Sequence, residues 1–279
     1  MHESLTFWIV FNGFVALMLA LDLGVFHRKD HAMSFREAIA WTSFWMALAA
    51  GFAILVFFLE GRRSAIDFVT GYVIEQSLSV DNLFVFLTLF GYFHVPKRYQ
   101  YKVLFWGILG ALLMRGLFIF VGVGLVDRFE WIMLLFGAFL LFTAVRMLFR
   151  DREKQGSPEA NPLVRFARKH MRVTEDFGNG QFFLRKDGLR YATPLFLVLL
   201  LIEASDLLFA VDSIPAVLSI TTDAFIVYTS NVFAILGLRA LYFALAGVME
   251  RFRFVDQGVA TILAFVGAKM VSSRWLQIS

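Results

Sequence analysis

Eight stretches of this chain are long and apolar enough to cross a bilayer, and no other feature limits its fold as much. A transmembrane helix needs about 20 mostly apolar residues. The stretches are Leu5–Phe26, Ala38–Leu59, Phe68–Phe93, Val103–Val126, Trp131–Phe149, Thr193–Ile220, Ala224–Val248 and Val255–Val271, the last being short. The chain is 59% hydrophobic and 17% charged. A soluble domain averages roughly 45–50% apolar and about 25% charged, and a core of this size cannot hide the surplus. A disordered chain, a soluble enzyme and a disulfide scaffold are excluded. With no cysteine, thiolate chemistry, iron–sulfur clusters and cysteine zinc sites are excluded as well. The expected fold class is all-α, a polytopic membrane helix bundle of about eight spans.

The basic residues set the orientation. With the N-terminus outside, the inside loops hold Arg28, Lys29 and Arg36, then Lys97, Arg98 and Lys102, a long run between Arg150 and Arg190, and Arg251 and Arg253. Only Arg62, Arg63, Arg128 and Arg274 fall outside. This is a positive-inside pattern. The formal charge of +4 therefore reports topology more than an acidic partner. The leader Met1-His2-Glu3-Ser4 has no basic region, and no A-x-A site follows the first apolar run. That run reads as a first transmembrane helix and not as a signal peptide. Three parts result: a membrane half at 1–149, a basic cytoplasmic loop at 150–192, and a second membrane half at 193–279. The loop reads as a solvated linker whose centre, Asn161–Met171, has the composition of a short basic interfacial helix.

Acids at membrane depth carry the functional information. Glu75 and Asp81 lie inside the third span, and Glu203, Asp206 and Asp212 inside the sixth. Asp22 lies near the inner end of the first. An ionised acid at helix centre costs about 2.5–3.5 kcal/mol, so five exposed to lipid would cost on the order of 12–17 kcal/mol. They must face a polar cavity, hold protons or meet cations. Arg146 and Lys269 lie near span ends and can snorkel. Arg115 and Arg239 lie deeper and can take one acid each, which leaves at least three acids unmatched. A cation pathway is favoured over a structural salt-bridge network. All five histidines lie at span ends or outside, so imidazole- or sulfur-loving metals lack ligands. Carboxylate, hydroxyl and carbonyl oxygens suit Mg²⁺, Ca²⁺ and Mn²⁺, and carboxylates also relay protons.

The two acidic spans carry a shared motif. The first motif helix, 71–90, reads IEQSLSVDN from Ile74, and the second, 193–220, reads IEASDLLFAVDS from Ile202. They lie three spans apart and so run in opposite directions, the mark of inverted repeats with a site between them. Glu203 and Asp206 share a helix face, whereas Asp212 lies about 180° from Glu203 on an ideal helix. A break at Pro215 would bring Asp212 round. Ser79 and Asn82 share the Glu75 face, with Asp81 offset by about 120°. Ser213 follows Asp212 in the motif. Asn231 and Asn12 default to interhelical hydrogen bonds, and Asn231 is also a pathway candidate. The possible pathway thus includes Asp22, Ser79, Asn82, Ser213 and Asn231.

The segments ALDLGVFHRK (Ala20–Lys29), EQSLSVDNLFVF (Glu75–Phe86), EASDLLFAVDSIPAV (Glu203–Val217), TSNVFAILGLRALYF (Thr229–Phe243) and FVGAKM (Phe265–Met270) resemble the TerC family of integral membrane proteins, in its Alx-like branch. The resemblance covers nearly the whole chain. It implies residence in the bacterial inner membrane and export of Mn²⁺ from the cytoplasm, with links to tellurium resistance and alkaline pH response. By motif match it implies Glu75, Asp81, Glu203, Asp206 and Asp212 as metal ligands. Family members usually continue past FVGAKM into another hydrophobic span. This chain ends at Ser279, so a shortened second membrane half is expected.

The expected function is therefore export of Mn²⁺ as a transported substrate, coupled to protons, with no tightly bound cofactor and no nucleic acid partner. The competing expectation is a membrane module that delivers metal or assembles a stress-response complex without transport. Catalysis is not expected, because neither a G-x-G-D aspartyl-protease context nor H-E-x-x-H is present.

Overall fold

A computed structural model describes residues 5–26, 34–129, 131–148, 162–186, 188–247 and 255–272. Expectations for Arg28, Lys29, Arg251, Arg253, Arg274, the stretch 150–161 and the Asp22 side chain lie outside the described residues. The chain forms two units, 1–33 and 34–279. The first contains α1 (Leu5–Phe26), in which the Asn12 amide donates to the Trp8 carbonyl at 2.9 Å.

The second unit holds α2 (Phe35–Glu60), α3 (Arg62–Tyr92), α4 (Lys97–Arg128), α5 (Trp131–Leu148), α6 (Pro162–His170), β1 (Phe183–Lys186), β2 (Leu189–Ala192), α7 (Pro194–Leu218), α8 (Ala224–Ala246) and α9 (Val255–Ser272). All eight expected spans are helices. Among the described residues α2, α3, α4, α7 and α8 are long and apolar enough to cross a membrane, and α1, α5 and α9 contain shorter apolar helices. The 32 residues of α4 reach about 48 Å at 1.5 Å per residue, well beyond a hydrocarbon core of roughly 30 Å. Its basic start and Arg128 end therefore extend into the headgroup layers.

Local signals set the helix ends. Ser34 Oγ accepts from the Glu37 N–H at the start of α2, a Ser-x-x-Glu start. Gly61 joins α2 to α3 at φ +91°, a left-handed conformation that favours glycine. Pro194 occupies the first turn of α7, where its missing N–H costs nothing. Asp223 Oδ1 accepts from the N–H groups of Phe225 and Ile226 at the start of α8.

The core is a ring of four helices. Both α3 and α4 pack against α7 and α8, so the two consecutive pairs interlock. Gly71 of α3 lies against Val217, while Phe86 and Phe90 share a buried cluster with Leu195 and Val198. The two motif helices are thus antiparallel, as the span count requires. Gly107 meets Ile202 and Gly122 meets Leu218, so α4 runs parallel to α7. The ring contacts Phe68–Phe233 and Phe90–Tyr242 make α3 parallel to α8. Each motif helix therefore lies beside its inverted counterpart and beside the helix following that counterpart. Outward-facing side chains are apolar, as with Phe58 (77% exposed) and Leu113 (71%). Lipid is the solvent that suits them.

Outside the ring, α5 and α9 cross closely at two glycines. A Cβ on Gly267 would stand 2.9 Å from the Gly137 carbonyl oxygen, and one on Gly137 would stand 2.8 Å from Met270 Cβ. Small residues permit such an approach between membrane helices. Gly267→Leu is expected to destabilise this crossing by about 1–3 kcal/mol. A lowered Tm of the purified protein in detergent would register it, and an unchanged Tm would show that the crossing tolerates bulk.

Two expectations are corrected. First, α7 runs unbroken from Pro194 to Leu218 through Pro215. Pro215 leaves the Val211 carbonyl without its helical partner, but it is buried with Ser213, Ile214, Ala216 and Val217 around it, and packing against neighbouring helices holds the helix through it. Asp206 and Asp212 accordingly stay on different faces. Second, the 150–192 loop is folded over its described part. The α6 helix forms within the expected Asn161–Met171 segment, and β1 and β2 make an unanticipated hairpin pairing Phe183 with Ala192 and Lys186 with Leu189. Thr193 Oγ1 donates to the Gln181 carbonyl at 2.7 Å, and Lys102 Nζ to the Gly180 carbonyl at 2.8 Å. These bonds fasten the segment to the starts of α7 and α4.

Candidate functional site

At the centre of the ring each helix contributes to one buried polar cluster. Arg115 of α4 forms ion pairs with Glu75 of α3 and Asp206 of α7. Its Nη2 donates to Asp206 Oδ1 at 2.9 Å and its Nε to Oδ2 at 3.3 Å, the two-pronged geometry that suits a guanidinium and a carboxylate. Its Nη1 donates to Asn231 Oδ1 of α8 at 3.0 Å and to Ser213 Oγ of α7 at 3.4 Å. Asn231 in turn donates through Nδ2 to Glu75 Oε2 at 3.1 Å. All five residues are buried. Burying ions away from water is expensive unless they are paired and hydrogen-bonded, which explains why one cluster draws on four helices. Two carboxylates share one guanidinium, so the cluster is short of positive charge. Ser79, one turn from Glu75, is 1% exposed, and its hydroxyl has no hydrogen-bond partner among the described residues.

A second group lines a cavity of about 560 Å³ between α3, α5, α7 and α9. Asp81 and Asn82 come from α3, Thr143 and Arg146 from α5, and Ser205 and Asp212 from α7. Thr143 Oγ1 donates to Asp212 Oδ1 at 3.1 Å. A water takes roughly 30 Å³ of liquid, so the cavity has room for a hydrated ion. Asp81 and Asp212 are the corresponding V-D positions of the two motifs, so the inverted helices bring matching acids to one cavity. Ser79 and Asn82 continue the Glu75 face of α3 from the central cluster to the cavity wall.

Glu203 belongs to neither group. Its carboxylate rests against Gly110 of α4, in the space a Cβ there would fill, so any side chain at 110 must displace it. The five acids are thus divided between the cluster (Glu75, Asp206), the cavity (Asp81, Asp212) and the α4 contact (Glu203). Among the described residues no three His, Cys, Asp or Glu side chains gather closely enough to hold a metal ion.

The expected pairing of Arg115 is also corrected. Arg115 takes two acids where one was expected, because a guanidinium presents donors on more than one edge. Arg239 lies over the ring of Tyr101, 4.4 Å from its centroid. Arg146, expected to snorkel, lines the cavity with Asp212. Sequence reasoning missed Thr143 as a partner of Asp212. A lone threonine in an apolar run carries no signal of its own.

The profile of the integral membrane protein TerC family matches residues 60–278. A protein of Escherichia coli strain K12, named as a proposed membrane-bound redox modulator, Alx, is 51% identical over 273 residues, covering 95% of this chain and 85% of that protein. An uncharacterized membrane protein of Myxococcus xanthus, STKORF319, is 50% identical over 263 residues, covering 94% and 82%. An uncharacterized membrane protein of Rickettsia bellii is 39% identical over 271 residues, covering 97% and 89%. No solved structure matches the chain. With a family match over most of its length and relatives at half identity, this multi-pass chain belongs to the TerC family of integral membrane proteins.

Proposed function

We propose that this protein exports Mn²⁺ across the bacterial cytoplasmic membrane, with protons as the coupling ion. The observation that carries the reading is the pairing of Asp81 and Asp212, one from each antiparallel motif helix, at a single cavity. Acids at membrane depth mark ion pathways, and carboxylate, amide and hydroxyl oxygens are the donors that hard divalent cations take. Inverted repeats with a site between them suit alternating access, in which one half rocks against the other around the site. In this scheme ionised carboxylates receive the metal from the cytoplasm, and protons entering from outside release it. The choice of manganese rests on the family resemblance. The relatives' name invokes redox modulation, but this chain has no cysteine and so no thiol of its own for that chemistry.

A cell assay tests the reading. Cells loaded with manganese and expressing the wild-type chain are expected to hold less manganese than control cells. Asp81→Ala and Asp212→Ala are expected to lose that effect at equal protein levels. If both variants lower cellular manganese as well as the wild type does, the cavity is not the pathway. The folded α6 and hairpin segment favours one alternative, a metal-delivery or assembly module. That module would leave cellular manganese unchanged and keep its protein partners in pull-downs.

A further inference from the structure

We propose that the Arg115 guanidinium is a tethered counter-cation that fills the cargo site of the empty carrier, and that the divalent ion binds by displacing it. The inference rests on the exporter reading and goes beyond it by assigning a resident competitor to the oxygens around Glu75 and Asp206.

The partners of the guanidinium are all oxygens. They are the Glu75 carboxylate, both oxygens of Asp206, Asn231 Oδ1 and Ser213 Oγ. Two acids and two neutral oxygens from three helices make a donor set for a hard divalent cation. These oxygens surround one guanidinium, those of Glu75, Asn231 and Ser213 at Nη1 and the two of Asp206 at Nη2 and Nε, so the space they enclose is held by a positive group belonging to the fourth helix. The Nδ2 bond from Asn231 to Glu75 fixes the amide so that Oδ1 faces the cation. Charge points the same way: one guanidinium leaves one of two carboxylates unmatched, whereas a divalent ion would neutralise both. Ser79 supplies a further buried oxygen, one turn from Glu75, with no partner among the described residues. A buried polar atom left so calls for an explanation, and a ligand of the incoming ion is one.

A resident cation also solves a problem of the cycle. An empty carrier must reorient without its cargo, and two bare buried carboxylates would oppose that step. The arginine neutralises them during the return and gives way when metal arrives. Its presence lowers apparent affinity, because the site is competent only in the fraction of molecules where the arginine has withdrawn.

Mn²⁺ binding to the purified full chain in detergent, paired with Mn²⁺ flux in liposomes, tests this. Arg115→Met removes the competitor and is expected to bind Mn²⁺ about tenfold more tightly than wild type, while its flux falls toward the protein-free rate. Arg115→Lys keeps the charge, and with it the fold, but lacks the two-pronged grip. It is expected to tighten binding by a smaller factor, about threefold, and to keep measurable flux. Millimolar free guanidinium is expected to compete with Mn²⁺ in Arg115→Met. A purely structural ion pair predicts the reverse, with weaker metal binding in both variants. Wild-type binding with no gain in either variant overturns the counter-cation and leaves the exporter reading standing. No binding and no flux in the wild type overturns both.

Discussion

Asp206→Ala is expected to lower the stability of the bundle by about 3–5 kcal/mol, the range for removing one partner of a buried ion pair. Asp206 grips Arg115 through both carboxylate oxygens, and both residues are buried away from bulk water. The arginine would keep Glu75, Asn231 and Ser213 but lose its strongest geometry. Four helices meet through this cluster, so the loss is felt by the ring as a whole. Equilibrium unfolding in mixed micelles measures it. The control is a variant without any of the three charges, Glu75→Gln with Arg115→Met and Asp206→Asn. It is expected to regain most of the lost stability, since an unmatched buried charge costs more than its absence. If the triple variant is no more stable than Asp206→Ala, the cluster is not held by charge pairing.

The cavity acids should leave stability nearly unchanged. Asp81→Asn and Asp212→Asn are nearly isosteric and lie at a half-buried cavity wall. Their effect on stability is expected within about 0.5 kcal/mol, as for substitutions away from tightly packed features. In Asp212→Asn the new amide oxygen would still accept the Thr143 hydroxyl. Transport should fall by about tenfold or more in each, since even groups behind the ligands of a metal site cost that much when removed. Flux and unfolding measured on the same preparations separate the two roles. Loss of stability together with flux would make these acids structural. Unchanged flux would remove them from the pathway.

The spans were legible because apolar runs of membrane length have few other solutions. The antiparallel course of α3 and α7 followed from span parity and the repeated motif. The interlocking of the pairs was not legible, since it depends on which apolar faces meet, and helices like α4 are apolar nearly all round. The charge pairing failed for a different reason. One acid per arginine ignores the several edges of a guanidinium, and sequence separation hides that Glu75 and Asp206 approach Arg115 together. Pro215 reads as a break because proline interrupts an isolated helix, but burial of that stretch against neighbouring helices keeps the helix continuous. The hairpin did have a signal, the Asp187-Gly188 pair, since Asp-Gly is a favoured two-residue hairpin turn. The density of basic residues drew that segment toward a solvated loop instead. Gly188, at φ +76°, is the turn residue that the pattern called for.

Manganese flux is the most direct measure of the central claim. The purified full chain, reconstituted in liposomes and shown to be folded by its melting transition, is expected to carry Mn²⁺ across the bilayer faster than protein-free liposomes do. An opposing proton gradient is expected to speed that flux, and Asp81→Asn and Asp212→Asn to abolish most of it. A folded wild-type protein whose liposomes move Mn²⁺ no faster than empty ones, with or without the gradient, would contradict the account.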